Sequence, residues 1–81
     1  MDELKRITAS DLPEIERLAL AFRWVTDRIV ENGQREVELL RSLGDQQELV
    51  KEQVKLSTIQ HTQSIFAQVH LMVTGKVAWN E

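Results

Sequence analysis

From Leu56 to Gly75 the chain carries no Asp, Glu, Lys or Arg (LSTIQHTQSIFAQVHLMVTG). Nearly all of the formal charge lies upstream, and only Lys76 and Glu81 follow. A solvent-facing helix normally places charge on its wet side, whereas this segment offers Gln, Ser, Thr and His there. It is therefore expected to be largely covered, and a chain of 81 residues has little of its own to cover it with. The length would suit a membrane span, which needs roughly 20 apolar residues. The content does not, because Gln60, His61, Gln63, Gln68 and His70 interrupt it. Burying such groups unpaired in lipid costs several kcal/mol, so a covered helix outside the membrane is the expectation.

Size and composition narrow the choices further. A chain this short forms one domain at most, and such domains are marginal unless stapled or oligomeric. There is no cysteine, which removes disulfides and thiolate metal sites. The net charge of -3 is small and mixed in sign, so neither nucleic acid nor an anionic membrane is an expected partner. Arg17, Arg23, Arg28, Arg35 and Arg41 are interleaved with acids, and no helix-turn-helix signature accompanies them. Met1-Asp2-Glu3 leads into no apolar run, so no secretory signal is expected and the expected location is the cytoplasm, or a soluble or viral assembly.

The hydrophobic period is helical. Residues 1–10 read as an N-terminal leader without a clear element, ahead of a single helical domain over 11–81. Asp11 and Glu14 have capping-box spacing, and Pro13 suits a first helical turn. Ile15, Leu18, Phe22, Val25 and Ile29 then recur at three- and four-residue steps and predict helix A over about 11–31. Asn32-Gly33 supplies the pair that tolerates left-handed backbone and is expected to end it.

A second helical pattern is expected from about 34 to 74. Leu39, Leu43, Gln47, Val50, Val54, Thr58, His61, Ile65, Val69 and Met72 follow it with an 11-residue repeat, which favours a nearly straight helix. Gly44 is its weak point. Asp45 with Glu48 has the spacing of a cap and would split the region in two, but the stripe stays in phase across it, which favours one helix bent at Gly44. Helix A would then be roughly 30 Å long and helix B roughly 60 Å. Folded back at Gly33, helix A would reach only to about residue 55 and leave the charge-free half of helix B bare.

The expected architecture is thus all-α: a helical hairpin that assembles into a homo-oligomeric helical bundle. The residues expected at the oligomer interface are Leu56, Ile59, His61, Ile65, Phe66, Val69, His70, Met72 and Val73, which form two apolar lines on one helix. Leu20 and Trp24, opposite the main stripe of helix A, and Trp79 near the C-terminus are expected to face a partner. A three-helix monomer broken at Gly33 and Gly44 is the competing architecture.

No chemistry is written into the chain. It has no phosphate-binding loop, no HExxH, no nucleophile elbow and no calcium loop. Glu48 with Lys51 and Glu52 with Lys55 have the spacing of ordinary solvated pairs. His61 and His70 are nine residues apart, on nearly opposite sides of a helix, with no acid or cysteine nearby. No catalytic residue, cofactor or metal is expected. The expected function is that of a non-enzymatic structural or adaptor subunit that associates with itself and with another protein through its charge-free helix. The alternative is a small inhibitor or sponge that captures a partner protein or a small ligand such as a nucleotide between subunits.

Overall fold

A computed structural model describes residues 2–79. It is all-helical, with α1 (Asp2–Thr8), α2 (Glu14–Leu43) and α3 (Gln46–Thr74). Helices α2 and α3 form an antiparallel hairpin, and α1 packs on α2. The leader is therefore partly helical: its acids sit in the first turn of α1 and Lys5 and Arg6 in the last, matching the helix dipole.

The hairpin turns at Gly44-Asp45, and this corrects the expected boundaries of helix A and helix B. Gly44 adopts the left-handed conformation (φ 72°, ψ 18°). Its N–H donates to the Arg41 carbonyl (3.2 Å) and the Asp45 N–H to the Leu40 carbonyl (3.1 Å). That is the Schellman pattern, which satisfies the last carbonyls of a helix. The Asp45 Oδ1 in turn accepts from the Glu48 N–H at 3.2 Å and caps α3. One helix therefore ends and the next begins within two residues. At the start of α2 the expected capping box is not formed: Pro13 holds the cap position and no side chain caps it. Gly75 (φ 72°) ends α3, its N–H donating to Leu71 at 2.8 Å.

Asn32-Gly33 is no turn. Gly33 lies buried in the middle of α2, and the Leu56 side chain fills the space where its β-carbon would be. A glycine inside a helix costs about 1 kcal/mol relative to alanine, and here it allows the two helices to approach closely. Farther from the turn, the Gln63 amide donates to Thr26 Oγ1 (2.6 Å) and to Asp27 Oδ1 (2.8 Å). Farther still, Phe22 stacks on Phe66 with ring centroids 4.4 Å apart. These pairs are equidistant from Gly44-Asp45 to within one residue, so the two helices run side by side along their whole length.

The seam of α2 follows Ala19, Thr26, Gly33 and Val37, all buried, and is built largely of small residues. The facing seam of α3 runs through Leu49, Leu56, Ile59, Phe66 and His70 at steps of three, four and seven residues. The slab that results measures 47 × 29 × 17 Å, with a radius of gyration of 15.4 Å against about 12 Å for a compact chain of this length.

Candidate interaction surface

The two broad sides of this slab are dressed differently. On one side the groove between α2 and α3 is lined near the turn by Gln34, Glu38 and Arg41 with Gln53, Ser57 and Gln60. Farther along, the same groove holds Trp79 among Arg23, Gln63, Ser64 and Ala67, and Ile7 of α1 comes in beside Leu20 and Trp24. The indole is fixed on three sides. Its Nε1–H donates to the Ala19 carbonyl at 2.9 Å, its ring lies parallel to Phe66 and Phe22 at 5.5 and 6.4 Å, and the Arg23 guanidinium sits 5.1 Å from the ring centroid. The tail that carries Trp79 is tied back as well, because His70 Nδ1 lies 3.0 Å from the Lys76 carbonyl. The His70 ring is buried, and its Nε2 has no hydrogen-bond partner. A cavity of about 330 Å³ adjoins it, walled by Ile15, Leu20, Thr74 and Val77 among others.

The other broad side has no such cover. With about 100° between successive helical residues, Leu18, Val25 and Ile29 lie across α2 from Leu20, Trp24 and Asp27, while Ile15 points along the seam into the cavity beside the tail. By the same rotation Thr62, Val69 and Val73 lie across α3 from Gln60, Ser64 and Ala67. Both sets therefore share the side that α1 and the C-terminal tail leave open. Leu18, Val25 and Ile29 are 55, 42 and 36% exposed, and Val69 and Val73 are 52 and 73% exposed. Between Leu18 and Ile29 this edge of α2 carries no charge, nor does the edge of α3 from Thr62 to Val73. Charge returns toward the turn, with Glu36, Lys51 and Lys55, and at the start of α2, with Glu14.

The residues expected at an interface divide accordingly. Leu56, Phe66 and His70 are taken up inside the hairpin, against Gly33, Phe22 and the tail, and Ile59 is half-buried on the same seam. His61, Ile65, Val69, Met72 and Val73 are exposed. Of the residues expected to face a partner, Leu20 borders the α1 groove, Trp24 is half-buried beneath the Arg28 guanidinium (4.8 Å), and Trp79 is the clasp of the tail.

The apolar stripe that predicts helix A lies mostly beside the hairpin seam. Only Phe22 of that stripe stacks across the seam. The signal that could have located the seam is the seven-residue spacing of Ala19, Thr26 and Gly33, small residues that permit close helix contact.

Ion pairs on the helices are local and solvated, such as Lys51–Glu48 at 3.1 Å and Arg28–Glu31 at 3.7 Å, each worth a few tenths of a kcal/mol. Among the described residues no group of three or more His, Cys, Asp or Glu is placed to hold a metal ion. Among them, too, no helix is long and apolar enough to cross a membrane. Comparison with protein-family models, with curated proteins and with solved structures finds no match to this chain.

Proposed function

We propose that this protein is a non-enzymatic association subunit, a helical hairpin that acts by docking its open apolar surface onto protein, beginning with further copies of itself. The observation that carries this reading is the shortage of interior. Ala19, Val37 and Leu49 are the buried hydrophobic residues among those described, while Leu18, Leu39, Leu43, Val54, Ile65, Val69, Met72 and Val73 are exposed. An apolar surface this broad usually marks an association site. Sedimentation velocity across micromolar concentrations tests it: a species heavier than 9.4 kDa is expected, and a single 9.4 kDa species throughout refutes self-association.

The cavity beside His70 favours a second reading, capture of a small ligand. Its volume of about 330 Å³ lies at the small end of ligand sites. A thermal-shift screen with a nucleotide panel would detect it, and no shift with any member would leave association as the function.

A further inference from the structure

We infer that the open α2–α3 side, centred on Leu18, Val25, Ile29 and Val69, is the seat of a second copy of this chain, packed face to face as a two-layer bundle. The inference rests on the association reading above and adds to it which surface is used and what occupies it.

Area supports it first. The chain exposes 6096 Å², whereas a folded monomer of 9.4 kDa is expected to expose about 5,000 Å². The excess of about 1,100 Å² is of the size that one partner contributes to a stable dimer, about 800 Å² or somewhat more. Layering supports it second. Helical domains close their core by packing one layer on another, and here α1 and the C-terminal tail lie against one side of the hairpin, leaving the other without a layer.

The choice of side follows from what is already covered. α1, Ala78 and Trp79 occupy the opposite groove, so a second layer there would have to displace the Trp79 clasp. The open side needs no displacement. Its uncharged patch is flanked by Glu36, Lys51 and Lys55 toward the turn and by Glu14 at the start of α2. An interface with an uncharged centre and charge at its edge is the usual anatomy of a protein–protein contact. Two copies of one chain also bring identical patches together, which a two-fold axis requires. The back of α3, with Ile65 and Met72, is a single-helix edge and offers a narrower footing.

Two double substitutions separate the surfaces. Leu18→Asp with Val25→Asp places charge in the open side, and Ile65→Asp with Met72→Asp places it on the back of α3. Wild type is expected at twice 9.4 kDa. The first pair should raise the dimer dissociation constant about a hundredfold or more, because unpaired charges would be buried at the contact; the second should leave it within about threefold. A wild-type mass above 9.4 kDa but not twice it, a first pair that stays dimeric, or a second pair that dissociates overturns this face and leaves the association reading standing. A wild type of 9.4 kDa at every concentration overturns both. Should the first pair lose its helicity, Val25→Cys decides instead. Its alkylation, in a chain with no other cysteine, should slow as protein concentration rises into the dimer range while that of Met72→Cys does not, and an unchanged Val25→Cys rate overturns the proposal.

Discussion

Leu56 of α3 stands in the space that a β-carbon on Gly33 of α2 would occupy. The collision would be with the end of a half-buried leucine, which can rotate away. Gly33→Ala gains about 1 kcal/mol of helix propensity and loses a similar amount in repacking, so its stability should lie within about 1 kcal/mol of wild type. Gly33→Leu has no such escape and is expected to cost about 1–3 kcal/mol, part of which Leu56→Ala should recover. Urea denaturation of the two single variants and the double variant measures this. A Gly33→Leu protein as stable as wild type would mean that the helices do not meet here.

The turn makes a separate prediction. Gly44 has φ 72° with nothing within 4 Å of an added β-carbon, so an alanine there is limited by backbone strain alone. Gly44→Ala is expected to cost about 1 kcal/mol, and Asp45→Ala a further ~1 kcal/mol through the lost cap. Gly33 and Gly44 should respond oppositely to a d-alanine placed by synthesis, which suits only the left-handed site. Thermal melts of the two synthetic chains check the pair, and a stabilised d-alanine at 33 would return the turn to Asn32-Gly33.

Trp79 holds the tail through both stacking and a hydrogen bond. Trp79→Phe keeps most of the stack and loses the bond to Ala19, which is worth about 1 kcal/mol. Trp79→Ala loses both, and for this half-buried ring about 2–3 kcal/mol is expected. Proteolysis after Lys76, followed by mass spectrometry, gives a local readout: cleavage should be faster in Trp79→Ala than in wild type. Unchanged cleavage would show that the indole does not secure the tail.

Gln63 joins α3 to α2 through Thr26 and Asp27 at mid-hairpin. Gln63→Ala should cost about 1–2 kcal/mol, since one of these contacts is to a carboxylate and the layer is partly buried. In a double-mutant cycle with Asp27→Asn, a coupling below about 0.5 kcal/mol would show the two to be independent.

Much of the fold was legible in the sequence and part was misleading. The helical period, the charge-free segment, the end of α3 at Gly75 and the alternative cap at Asp45 all show in local patterns, because capping and amphipathicity act over one or two turns. The turn was misplaced because Asn-Gly is a strong local stop signal, while the gain from close packing at Gly33 comes from Leu56, 23 positions away. The same long-range pairing decides which stripe is the seam. Periodicity marks Ile15, Leu18, Val25 and Ile29 as an apolar edge without saying whether that edge faces α3.

By itself, then, the sequence determined an all-helical chain with more apolar surface than one small domain can bury. It did so because helix propensity, caps and hydrophobic period are local properties. Only the tertiary structure decided that Gly44 is the hinge, that Leu56, Phe66 and His70 are spent inside the hairpin, and that the open side is shared between α2 and α3. Those outcomes depend on which small residues allow two backbones to approach, and that is settled between helices rather than along them.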